Sequence, residues 1–221
     1  MNKAPIIATL TLLPILAYAP LTSAAPEDTK SMTEQPKVIK LDQPLQLGDI
    51  MPNFVIDNAA GGTHELETLL EDGPVLLTFY RGSWCPYCIT ELSSVQKRLD
   101  KITDTGAKVL AISPEIPTDT TDLVKQKDYG FLFGTDHDNK LAKQLALSFK
   151  LDPKTIKKYR EYGIDLPESN DSKKWELPIP ATYVIDTDGT IKYAFVEEDY
   201  KKRADYDKVL DTLREMAEAE D

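Results

Sequence analysis

The chain has 221 residues, with 26 Lys and Arg against 37 Asp and Glu, for a net charge of −11. An acidic surface of this strength repels phosphate backbones and anionic headgroups, which argues against nucleic acid or a membrane surface as a partner. Its two cysteines stand three residues apart and cannot staple a fold, because closing so short a loop restricts the unfolded chain very little.

Lys3 opens a mostly apolar, proline-interrupted run over residues 4–21, and the small residues Thr22, Ser23 and Ala24 follow it. This is the pattern of a secretory signal peptide cleaved after Ala24, and it falls short of the roughly 20 apolar residues of a membrane span. The expectation is an exported, periplasmic protein with residues 1–24 removed and no membrane attachment after processing. Residues 25–46, rich in Pro, Ser, Thr, Lys and Glu without apolar period, read as a flexible leader. A single folded domain is then expected over residues 47–221.

Short extended pieces at 53–57 and 63–65 flank the turn residues Ala59, Ala60, Gly61 and Gly62, which predicts an N-terminal hairpin. Residues 75–80 form a β-favouring apolar run between Asp72-Gly73-Pro74 and Gly82, the pattern of a buried central strand. From Pro86 to about residue 102, Leu92, Val95, Leu99 and Ile102 recur at helical spacing, so a strand, a turn and a helix follow one another with both cysteines at the junction. A second buried strand at 108–113, a helix at 120–127, a strand at 131–133 and a helix at 139–147 come next. Residues 149–175 read as an inserted segment, with a helix at 153–162 capped by Asp152, begun by Pro153 and closed by Gly163. Apolar runs around Asp186-Thr187-Asp188-Gly189 predict a hairpin, and an amphipathic helix at 206–217 ends the domain. Alternating strands and helices define an α/β class with a central parallel or mixed sheet covered on both faces.

Cys85 stands just before a helix whose first turn contains Pro86, where unpaired backbone N–H groups and the positive helix end favour a thiolate. Cys88 lies one turn on, at a separation a disulfide can bridge, so one sulfur can attack while the other resolves the product. A zinc site needs about four ligands, and the two histidines, His64 and His137, do not stand at ligand spacing. A copper-delivery module, with the paired thiolates holding Cu(I), is a third reading. Neither a metal nor an organic cofactor is implied by redox chemistry at this pair. Pro180 precedes a predicted strand, and the Ile179–Pro180 bond is expected to be cis and to border the sulfurs, the alternative being an ordinary trans proline at a strand start. Arg81 either supplies positive charge to a sulfur or pairs with the acidic exterior. Trp84 and Tyr87 either shape an apolar rim or only pack.

Residues 79–88, with Trp84-Cys85-Pro86-Tyr87-Cys88, together with residues 178–189 and 199–203, resemble the peroxiredoxin-like branch of the alkyl hydroperoxide reductase/thiol-specific antioxidant superfamily. The resemblance implies a thioredoxin-like fold with an N-terminal extension. It also implies hydroperoxide reduction by a Cys85/Cys88 dithiol–disulfide cycle, with an external thiol reductant such as a thioredoxin-like protein. The chain departs from the family pattern Phe-Tyr-Pro-x-x-x-Thr-x-x-Cys. Arg81 falls on the Pro, Cys85 on the Thr and Cys88 on the peroxide-reactive Cys, while Pro180 falls on a later Arg. Thioredoxin logic therefore makes Cys85 the nucleophile and peroxiredoxin logic makes it Cys88. The same departures support a rival activity, exchange with protein disulfides without peroxide reduction.

Overall fold

The computed structural model describes residues 41–220; the expected signal peptide and the leader up to residue 40 lie outside the described residues. Strands β1 (Val55–Asn58) and β2 (Thr63–Glu65) form the N-terminal hairpin, and a short helix α1 (Leu66–Leu70) follows. Then come β3 (Val75–Phe79), α2 (Pro86–Gln96), α3 (Leu99–Thr103), β4 (Lys108–Ser113), α4 (Pro117–Lys127), β5 (Leu132–Thr135) and α5 (Lys140–Gln144). The chain continues through β6 (Ser148–Lys150), α6 (Pro153–Glu161), α7 (Leu166–Ser169), β7 (Glu176–Pro178), β8 (Ala181–Ile185), β9 (Ile191–Val196) and α8 (Tyr206–Glu220).

Seven strands make one mixed sheet in the order β2-β1-β5-β4-β3-β8-β9. β3, β4 and β5 are parallel, and the remaining pairs are antiparallel. Covered faces explain why β3 reads as an unbroken apolar run rather than an alternating one. Val75, Leu77 and Phe79 point into one core cluster with Leu66 of α1 and Leu141 of α5, whereas Leu76 joins Val95 of α2 and Val209 and Leu213 of α8 on the other face. Full burial of side chains such as Leu76 and Leu77 contributes about 1.5–3 kcal/mol each.

Several boundaries differ from the sequence expectation. Leu45 is buried in the core and Leu41 packs against it, so ordered packing begins ahead of residue 47. The helix expected to reach residue 102 is two helices, because Arg98 leaves helical geometry and its guanidinium turns back to Ser94 Oγ at 2.8 Å. The helix expected at 139–147 shortens to α5, since Asn139 and Ala146 both take positive φ. The inserted segment carries a second short helix, α7, and is closed by a separate two-stranded ladder of β6 against β7. No helix among the described residues is long and apolar enough to cross a membrane.

Candidate active site

β3 delivers the chain to Tyr80, and the turn over residues 81–84 passes it to α2. Cys85 is the N-cap of that helix, in extended geometry, and Pro86 occupies the first helical position, where a missing N–H is no loss. Cys85 N–H donates to Gly82 O at 3.1 Å, and Cys85 O accepts from Ile89 N–H at 3.1 Å, which fixes the cysteine between turn and helix. Gly82 has φ +151, and a Cβ there would meet Trp84 Nε1 at 2.3 Å and Glu115 Oε1 at 2.9 Å, so the turn closes only around a glycine.

Both cysteines are free thiols and both are buried. Their sulfurs face each other at 2.8 Å, with the Cys88 thiol donating to Cys85. That hydrogen bond is the largest influence lowering the Cys85 pKa. Burial opposes it, and the guanidiniums of Arg81 and Arg203 add to it. Cys88 moves the other way, well above an ordinary thiol, because it is the donor and because it is buried beside a forming negative charge. The pair is thus polarised, with Cys85 the sulfur that ionises first.

Arg81 is 4% exposed and lies inside a cage of rings: its guanidinium carbon is 4.0 Å from the Tyr200 centroid, 5.1 Å from Trp84 and 5.9 Å from Tyr159. Desolvated cation–π contacts of this kind contribute about 2 kcal/mol. The exterior-pairing alternative for Arg81 is therefore overturned. Trp84 packs edge-on against Tyr159 of α6, at 5.6 Å, and Tyr87 packs edge-on against Tyr200, also at 5.6 Å. Trp84 also packs against the buried cluster that contains both cysteines.

The Ile179–Pro180 bond is trans, as is every peptide bond among the described residues, which corrects the expected cis proline. Ile179 N–H bonds Leu147 O, and Pro180 O accepts from Glu197 N–H at 3.3 Å, so the chain enters β8 already extended and needs no cis turn. Pro180 reaches the same end of the sheet as the dithiol turn, because Ala181 pairs with Phe79, but no hydrogen bond among the described residues joins it to either sulfur.

The fold brings to the site residues that nothing in the sequence places at the dithiol, Arg203 among them although it belongs to the family-like segment 199–203. Arg203, past β9, places Nη2 3.5 Å from Cys88 Sγ and Nε 2.8 Å from Glu91 Oε2. Glu91 is buried on α2, accepts a hydrogen bond from Tyr206 of α8 at 3.2 Å, and has its pKa pushed up to about 7 by burial, with Arg203 opposing. Its one available sequence signal is an acid three residues after Cys88, next to the buried Leu92. Glu115, beyond β4, accepts from Ser83 N–H at 2.7 Å and from Ser83 Oγ at 2.8 Å. Trp175 lies under Arg160, whose guanidinium is 5.0 Å from its ring. No group of three or more His, Cys, Asp or Glu suited to a metal occurs among the described residues.

A mixed sheet with a reduced dithiol at a strand–helix junction defines a thioredoxin-fold redox protein. The chain matches the AhpC/TSA family over residues 47–194 and belongs to it. Among solved structures it superposes on the peroxidoxin BcpB of Mycobacterium tuberculosis with a TM-score of 0.63 at 22% identity, covering 78% of this chain and 98% of that one. A putative peroxiredoxin of Mycobacterium tuberculosis is 23% identical over 170 residues, 77% of this chain and 97% of the relative. A thiol-disulfide oxidoreductase ResA of Bacillus cereus is 24% identical over 160 residues, 72% of this chain and 75% of the relative. The solved likeness carries the fold, which is the thioredoxin-like α/β arrangement that the sequence resemblance implied.

Proposed function

We propose that this protein is an exported thiol peroxidase that reduces hydroperoxides through Cys85 and Cys88. The observation that carries the reading is the polarised sulfur pair at 2.8 Å, with Cys88 donating to Cys85 and two guanidiniums beside them. Cys85 thiolate attacks the distal peroxide oxygen; the O–O bond breaks, an alcohol or water leaves after taking a proton, and Cys85 becomes a sulfenic acid. Cys88 then attacks the Cys85 sulfur, the S–O bond breaks, water leaves, and a disulfide forms. An external thiol, such as that of a thioredoxin-like protein, restores the dithiol by exchange. Arg81 and Arg203 stabilise the thiolate and polarise the peroxide. Trp84 and Tyr87 line the approach, and Pro180 supports the sheet end beneath it.

The family membership and the peroxiredoxin relatives support peroxide as substrate; the relatives named thiol-disulfide oxidoreductases support a second reading, exchange with protein disulfides at the same pair. Two guanidiniums facing the sulfurs oppose a bound Cu(I) ion. Export to the periplasm, with residues 1–24 as signal peptide, is the compartment in which such a couple meets oxidants, and it rests on the leader sequence alone.

The deciding experiment mixes the reduced protein with hydrogen peroxide and follows free thiols and Trp84 fluorescence in wild type, Cys85→Ser and Cys88→Ser. The expected result is fast oxidation that Cys85→Ser abolishes, while Cys88→Ser stops at the sulfenic acid. Oxidation no faster than that of a small free thiol removes the peroxidase reading and leaves disulfide exchange. Loss of the fast phase in Cys88→Ser alone reverses the roles of the sulfurs.

A further inference from the structure

We propose that Glu115 is a positioning residue for the dithiol: through the turn that carries Ser83, it places an unpartnered negative charge against Cys85 and makes that cysteine easier to oxidise. The proposal rests on the reading of Cys85 and Cys88 as a dithiol–disulfide couple.

Glu115 is 1% exposed, and both its oxygens are spent on one residue, Ser83, two positions before Cys85. A buried carboxylate normally keeps a cation beside it. Glu91, the other buried acid near the couple, does so with Arg203. None of the ion pairs among the described residues includes Glu115. The groups that face it are neutral or acidic: Ser83 and Cys85 from the turn, Tyr80 from the end of β3, and Asp119 from the first turn of α4. Gly82 lets the carboxylate come this close, since a Cβ there would be 2.9 Å from Glu115 Oε1.

The charge is held by hydrogen bonds that involve neither sulfur. Burial is the main cause that raises the Glu115 pKa, to about 7; the two Ser83 hydrogen bonds lower it, and Asp119 and Cys85 raise it further. Near neutral pH the carboxylate and the Cys85 thiolate therefore titrate against each other. Ionised Glu115 makes the thiolate less stable, which favours the disulfide over the dithiol. Arg203 and Arg81 act in the opposite sense, and Glu91, which Arg203 pairs, acts in the same sense as Glu115, so the couple is balanced between two cations and two acids.

The test follows Cys85 alkylation by iodoacetamide against pH, and the dithiol–disulfide equilibrium against glutathione, in wild type, Glu115→Gln and Ser83→Ala. Gln can accept from Ser83 N–H and donate to Ser83 Oγ, so it removes the charge and keeps the clamp. Glu115→Gln is expected to lower the Cys85 step by about half a pH unit and to move the equilibrium about threefold toward the dithiol, with Glu91, whose charge also acts on Cys85, present in every variant. Ser83→Ala keeps the charge and is expected to keep the wild-type profile. Unchanged behaviour in Glu115→Gln, or the same shift in Ser83→Ala, overturns the proposal. If Glu115→Gln does not fold, Asp119→Asn replaces it: without the neighbouring charge Glu115 ionises at lower pH and opposes the thiolate over more of its range, so the alkylation profile must move to higher pH, and an unmoved profile overturns the proposal. A wild-type profile with no thiol ionising below the ordinary range overturns both this proposal and the dithiol reading, whereas a low-pH thiol that the variants do not move overturns only the role of Glu115.

Discussion

Arg203 stands 3.5 Å from the sulfur of Cys88, although 115 residues separate them in sequence, and its Nε pairs with Glu91 on the same helix as that cysteine. One guanidinium thus faces both the Cys88 sulfur and a buried carboxylate. Removing it has two consequences that can be separated.

Arg203→Met is expected to slow thiol oxidation by peroxide about tenfold and to destabilise the fold by about 3 kcal/mol, because Glu91 is left buried without its cation. Adding Glu91→Gln should restore most of the stability, read as the denaturant midpoint, without restoring the rate. If the double variant recovers both, the guanidinium acts on the fold and not on the sulfur.

Tyr200 is 36% exposed and packs on Arg81 and Tyr87, which flank the buried Cys85 in the sequence. Tyr200→Ala is expected to accelerate alkylation of Cys85 by bulky maleimides severalfold, with a smaller gain for hydrogen peroxide, which passes a narrower gap. Equal acceleration for both reagents would show that the substitution changed the thiol rather than its cover.

The turn at Gly82 gives a stability prediction. Gly82→Ala forces a Cβ to 2.3 Å from Trp84 Nε1 at a φ of +151, and a cost of about 2 kcal/mol or more is expected in chemical denaturation, together with lower Trp84 fluorescence anisotropy as the indole is displaced. Wild-type stability in this variant would mean that the turn has room the geometry denies.

Glu91 and Glu115 both have folded pKa values raised to about 7 from the ordinary 4.5, so each holds a proton in the folded state that the unfolded chain has already released. Their contribution to stability is complete below pH 4.5 and is lost as pH rises toward 7, by at most about 3 kcal/mol each. Melting temperature should therefore fall across this window in wild type, and the fall should be shallower in Glu91→Gln and in Glu115→Gln. An identical slope in all three would place the pH dependence elsewhere.

Local order alone determined the α/β alternation, the strand–turn–helix junction, the two hairpins and the dithiol. Each rests on contacts within about a dozen residues: Pro86 beginning α2, Gly82 closing the turn, the Asp186–Gly189 bend between β8 and β9. Only the tertiary structure decided what surrounds the sulfurs. The sheet order brings Phe79 beside Ala181, and α8 packs on the same face as α2, so Arg203, Glu91 and Tyr206 meet only once those long-range pairings exist. It also kept Pro180 trans, because Leu147 and Glu197, remote in sequence, already hold that strand extended. Thiol chemistry at a helix start is a property of neighbours along the chain; the charges that poise it arrive through space.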